Sequence, residues 1–133
     1  MPAPEGVELS FPEDGGCFGC SPTNDTGLQL RFRRQGTRVF SAYRIADRFH
    51  GAPGIAHGGI VAAILDELSC AAAVFVADQF VVTGELVIRY ERPVPVDVPL
   101  ELEAEITAVI RRGDARLARS TGKFFYQERR SQP

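Results

Sequence analysis

Residues 58–77, GGIVAAILDELSCAAAVFVA, form the longest apolar run in the chain, and two adjacent carboxylates, Asp66 and Glu67, interrupt it near its middle. The run is close to the length of a membrane span, roughly 20 residues. A bilayer would then hold both acids near its centre, at about 2.5–3.5 kcal/mol for an aspartate on insertion scales. The flanking segments also alternate like strands of a sheet exposed to water. A helix that is apolar nearly all round is otherwise one enclosed by protein. The run therefore demands a surrounding sheet, and it demands a reason for placing an acid inside.

The surrounding segments supply the sheet. LQLRFRR sets Leu28, Leu30 and Phe32 on one parity, the period of a half-buried strand. After the turn-like QGT, RVFSAYRIADRF reads as a second strand, with Val39 and Phe40 breaking strict alternation. HGAPGIAHGG spends four glycines and a proline in ten residues, which is loop chemistry suited to close approach of a ligand to backbone. Downstream, VVTGELVIRYERPVP alternates through Val82, Leu86, Ile88 and Tyr90, and LELEAEITAVI alternates through Leu100, Leu102, Ala104 and Ile106 as one strand. ARLARSTGKFFYQ follows the tight-turn signal RRGD and makes the last strand. Two strands, a long helix and three antiparallel strands predict an α+β fold in which a curved antiparallel sheet wraps around a central helix. Residues 1–26, rich in Pro, Gly and acidic groups, read as an irregular arm ahead of one domain spanning 27–133.

Charge and cysteine content narrow the function classes. A net charge of -2, from 15 basic and 17 acidic residues, offers no global attraction for nucleic acid or an anionic membrane surface. The opening MPAPEGVELSFPEDGG has neither a basic start nor an apolar core, so a cytoplasmic location is expected. Cys17, Cys20 and Cys70 are then expected as thiols. CFGC at 17–20 has zinc-like spacing, but a structural zinc site takes four ligands and no second pair follows. The expectation is no metal, with small thiols packed inward.

The order of elements, together with three motifs, resembles the hotdog-fold acyl-CoA thioesterases of the phenylacetate-pathway (PaaI-like) type. The motifs are Cys17 to Cys20 with Gly27, Leu28, Leu30 and Phe32; Gly51, Pro53, Gly54 and His57 to Gly59; and Thr83, Leu86, Ile88, Tyr90, Arg92, Pro93 and Pro95. The resemblance implies a hotdog fold and hydrolysis of acyl-CoA, or acyl-carrier-protein, thioesters without a cofactor, coenzyme A being part of the substrate. It makes Asp66 the nucleophile or general base, Gly58 the backbone donor to the thioester carbonyl, and Thr83 the residue that positions water. Ala62, Ala63, Ser69 and Cys70, three and four positions from Asp66, are small enough to leave room for a substrate. Gly58 stands at the helix start, where unpaired N–H groups favour a developing oxyanion.

Other residues receive secondary parts. His57 orients the loop, Gly59 adjoins the substrate, and Glu67 is a pairing or rim residue. Thr83 shares parity with Glu85 and Arg89, opposite Leu86 and Ile88, so its role requires a bend at Gly84. Many relatives carry an Asn upstream of HGG; here the stretch offers Gly51 and His50, which makes His50 a candidate substrate contact. Arg89, Arg111 and Arg112, with Arg92 and Lys123, are candidates for the coenzyme A phosphates.

Gly58 and Asp66 are eight residues apart, about 12 Å along a helix, whereas one reacting carbonyl must lie within roughly 3 Å of both. Two antiparallel helices, each lending its start to the other's midpoint, resolve this, so a homodimer is required and a dimer of dimers is compatible. Two alternatives stay open: a hotdog enoyl-CoA hydratase or dehydratase using His50 with Asp66, and a non-catalytic acyl-CoA-binding protein.

Overall fold

In a computed structural model, residues 2–11, 15–105 and 107–127 are described. The elements are β1 (Arg33–Gln35), β2 (Arg38–Arg44), a short 3-10 turn (Asp47–Phe49), α1 (Gly58–Phe75), β3 (Phe80–Tyr90), β4 (Pro99–Ala104), β5 (Ala108–Arg112) and β6 (Ala115–Gln127). The strands form one antiparallel sheet in the order β1-β2-β4-β5-β6-β3, with α1 packed against it. This is the expected α+β hotdog arrangement of a sheet around one long helix.

The helix makes the core with one stripe. Val61, Ile64, Leu65, Leu68, Ala71, Ala72 and Phe75, at spacings of three and four, are buried against Leu30, Phe32, Val39, Leu100, Leu102 and Ile110. Its other face, Ala62, Ala63, Asp66, Glu67, Ser69, Cys70 and Ala73, is only half-buried. The expectation of a helix enclosed on all sides is thus corrected for the single chain. By length and composition α1 could cross a membrane, yet its most apolar stripe is the one pressed on the sheet.

Three expected strands are corrected. Leu28, Leu30 and Phe32 are buried as their alternation requires, but only Arg33–Gln35 joins the ladder beyond them. Gln29 adopts φ 54, a left-handed geometry that breaks an extended run. The second strand ends at Arg44, and the 3-10 turn takes up Asp47–Phe49. Residues 100–110 are two strands rather than one: Ala104 pairs with Ala108, so the two segments run antiparallel and a sixth strand results. Ile106 lies outside the described residues. The RRGD turn is tight as expected, with Arg112 opposite Ala115 and Gly113 at φ 57.

The first 26 residues contain no named helix or strand among those described, and they are tied into the body. Ala3 N–H donates to the Phe75 carbonyl at 2.8 Å, Leu9 N–H to that of Phe32 at 2.8 Å, and Phe11 packs on the rings of Phe32 and Phe75.

Candidate active site

The helix start is organised by His57. It is the N-cap of α1, and its Nδ1 accepts the Gly59 N–H at 2.9 Å. Its carbonyl accepts the N–H groups of Ile60 and Val61 at 2.9 and 3.1 Å. The amides of the first turn are thereby consumed one after another, except that of Gly58, which has no hydrogen-bond partner among the described residues. Gly58 is exposed, and its carbonyl accepts the Tyr90 Oη–H at 2.7 Å. A groove of about 230 Å³ opens beside it, lined by Ile55, Gly58, Val61, Tyr90, Arg92 and Val94. A helix-start amide without a partner among the described residues, on a glycine that lines a groove, is a kind of group that can bind an anionic oxygen.

At the helix midpoint, Asp66 is half-buried and its Oδ1 accepts the Thr83 hydroxyl at 2.5 Å. The reach across depends on an irregularity in β3. Thr83 pairs with Phe124 and Glu85 with Lys123, so Gly84 is an extra residue in the ladder. Such a bulge flips parity and turns Thr83 to the side of Leu86 and Ile88. Burial, followed by the charges of Asp66 and Glu67, pushes the pKa of the Cys70 thiol, one turn after Asp66, up to about 12, with nearby Thr83 acting in the lowering direction. Asp66 is bonded to Thr83 and not to Arg89 or Arg92.

Glu67 faces the opposite way, into the CFGC loop. Cys17 Sγ lies 3.5 Å from its Oε1. Burial, opposed by the bond from Cys17 and reinforced by Asp66, raises the Glu67 pKa above the ordinary carboxylate value. Gly19 closes over Glu67 so tightly that a Cβ there would stand 2.2 Å from Glu67 Cγ.

The remaining sequence candidates spread out. His50 is exposed, with Nδ1 2.7 Å from the Asp47 carbonyl, and it bridges to Ala56 to close the loop before α1. Arg89 stands on β3 opposite Arg119. Arg111 is held by Glu103 at 2.6 Å. Arg112 is exposed at the β5–β6 turn, and Lys123 pairs with Glu85 at 3.6 Å. Of the five basic candidates, Arg92 alone lines the groove beside Gly58. Tyr90 was missed as a site residue because strand parity assigned it to the core, yet it is 52% exposed and bonded to Gly58. The Cys17–Glu67 contact was missed because fifty residues separate its partners.

Residues 53–112 match the thioesterase superfamily model. A thioesterase superfamily protein of known structure superposes with a TM-score of 0.70 at 24% identity, over 80% of this chain and 57% of that one, so the chain spans little more than half of that protein. A thioesterase superfamily protein from Shewanella loihica gives 0.61 at 28% identity, over 74% and 91%. An acyl-CoA hydrolase variant from Staphylococcus aureus, in complex with coenzyme A, gives 0.65 at 18% identity, over 73% and 68%. No curated protein gives a significant match. The match to the thioesterase superfamily model thus covers a little under half of the chain, and the fold is that of the hotdog thioesterase structures.

Proposed function

We propose that the protein hydrolyses acyl-CoA, or acyl-carrier-protein, thioesters at a site shared between two copies of the chain. The observation that carries this reading is the pairing of an unpartnered Gly58 N–H with a Thr83-bonded Asp66 on one helix, about 12 Å apart. The match of residues 53–112 to the thioesterase superfamily model and the coenzyme A bound by the Staphylococcus aureus hydrolase support the substrate class.

In the proposed dimer, Gly58 of the partner subunit donates its N–H to the thioester carbonyl while Asp66 acts on the other side. As general base, Asp66 takes a proton from water held by Thr83. The hydroxide adds to the carbonyl carbon, the oxyanion forms on the Gly58 amide, and the C–S bond breaks. The thiolate leaves and takes up a proton, giving acid and thiol; as nucleophile, Asp66 would instead form an anhydride that water opens. No cofactor enters either route. The half-buried small residues Ala62, Ala63, Ser69 and Cys70 flank Asp66 and leave space for the acyl group. Arg92 at the groove is the best-placed phosphate contact.

The test uses two inactive variants, Asp66→Ala and Gly58→Pro. Gly58 is the first helical residue, where proline removes the N–H without breaking the helix. Co-refolding equal amounts should restore roughly a quarter of wild-type hydrolysis, because half of randomly paired dimers are mixed and half of their sites are intact. If mixed dimers are verified by mass and no activity returns, the shared site is wrong.

A further inference from the structure

The arm and the helix meet at a cluster that thioester hydrolysis does not use. The ligand atoms of Cys17, Cys20 and Glu67 all lie within 4.8 Å of one another. Cys17 and Cys20 are thiols on a tight loop, and each is half-buried like Glu67. We propose that Cys17, Cys20 and Glu67 form a three-ligand site for a divalent transition metal of the zinc class, with water as the fourth ligand.

Zinc binds thiolate sulfur at about 2.3 Å and carboxylate oxygen at about 2.0–2.2 Å in tetrahedral geometry, which sets a sulfur and an oxygen on the same ion roughly 3.5 Å apart. Cys17 Sγ and Glu67 Oε1 are 3.5 Å apart. Two thiolates with one carboxylate suit a borderline-soft ion and disfavour magnesium or calcium, which take oxygen ligands.

The surroundings are built to hold the loop in place. Gly19 N–H donates to Cys17 Sγ at 3.3 Å, a bond that strengthens as the sulfur acquires charge. The carbonyls of Phe18 and Gly19 are tied to the N–H groups of Leu28 and Leu30 at 2.7 and 2.9 Å. Gly19 is the residue whose missing Cβ lets the loop settle on Glu67.

Cysteine pairs along the sequence offer CFGC no more than two ligands. Glu67 comes from the helix, 47 positions after Cys20, and supplies the third ligand that a finger-like pattern cannot reveal. The ion would pin the arm to the helix next to Asp66. This proposal stands apart from the reading of the chain as a thioester hydrolase.

The full chain, reduced and stripped with chelator, is titrated with Co²⁺ and followed by thiolate-to-cobalt charge-transfer absorption. The expected result is one equivalent per chain, displaced by Zn²⁺, with a higher melting temperature when zinc is bound. Glu67→Gln should keep the band and weaken affinity at least tenfold, while Cys17→Ser and Cys20→Ser should each diminish it. Circular dichroism checks each variant's fold; if any fails to fold, the wild-type cobalt spectrum decides alone. Absence of a band at one equivalent of cobalt in the reduced wild type overturns the proposal, as does unchanged metal affinity in a folded Cys17→Ser, Cys20→Ser double variant.

Discussion

The two edges of the sheet are finished in opposite ways. β1 is three residues long and the chain's own arm covers it: Gly6 N–H donates to the Arg34 carbonyl, Arg33 and Arg34 reach back to the carbonyls of Gly6 and Ala3, and Glu5 accepts the Gly36 N–H. β3 is eleven residues long, and no strand pairs with its outer side among the described residues. Val82, Val87 and Tyr90 stand 47%, 59% and 52% exposed along it. Natural proteins blunt edges that must stay alone. An edge left long and apolar is one that expects company, and a second copy of the chain supplies it by symmetry. Thr83 and Tyr90, the strand residues that touch Asp66 and Gly58, both lie on this open edge.

The most severe test of that contrast leaves both edges intact and removes only the proposed base. Asp66→Asn keeps the shape and can still accept the Thr83 hydroxyl, but it is not basic. General-base catalysis is worth about 10²–10⁴-fold, so kcat for thioester hydrolysis should fall by that much with the dimer and the fold unchanged. If more than a tenth of wild-type kcat survives, the open edge serves association and Asp66 is not the base.

A smaller effect is expected from altering the edges themselves. Val87→Lys places a charge on the open edge, where a twofold interface brings each lysine near its copy. Dimer dissociation, measured by sedimentation, should become at least about tenfold more favourable, or roughly 1.4 kcal/mol, and activity per chain should fall on dilution. Gln35→Lys on the covered edge should change neither quantity. Equal responses from the two would erase the distinction between the edges.

Much of the fold was legible in the sequence, though not the contrast between its edges, and the parts that were not have identifiable reasons. The helix was readable because its apolar run is long and the segments beside it alternate. The break between Ala104 and Ala108 was hidden because Ala104, Ile106 and Ala108 continue the same parity in sequence, so periodicity reports one strand where topology makes two. The left-handed Gln29 that shortens β1 carries no glycine to announce it. Among site residues, Gly84 signalled the bulge that brings Thr83 to Asp66, since a strand-interior glycine is a recognised place for one. Tyr90 was misread because parity describes which side of a sheet a residue takes, and at an edge that side need not be covered. Contacts between the arm and the helix depend on tertiary packing across fifty residues, which no local pattern encodes.

The smallest expected effect isolates what lies beyond the open edge near Gly58. Within one chain, a Cβ at Gly58 would meet Tyr90 Oη at 3.8 Å, an ordinary contact, and Gly58 has no left-handed φ that only glycine tolerates. Gly58→Ala should therefore be neutral or slightly stabilising, since glycine in a helix costs roughly 0.5–1 kcal/mol relative to alanine. The N–H is retained, so the oxyanion contact survives in kind. If the groove beside Gly58 receives the thioester, however, the new methyl occupies substrate space, and kcat/KM should fall by several-fold, on the order of 1 kcal/mol in barrier terms. A melting temperature held or raised alongside reduced kcat/KM separates the two causes, because a disturbed helix start would lower both. Full activity in Gly58→Ala would mean that the space beside the amide is not used by substrate, and the oxyanion would have to be placed elsewhere along β3.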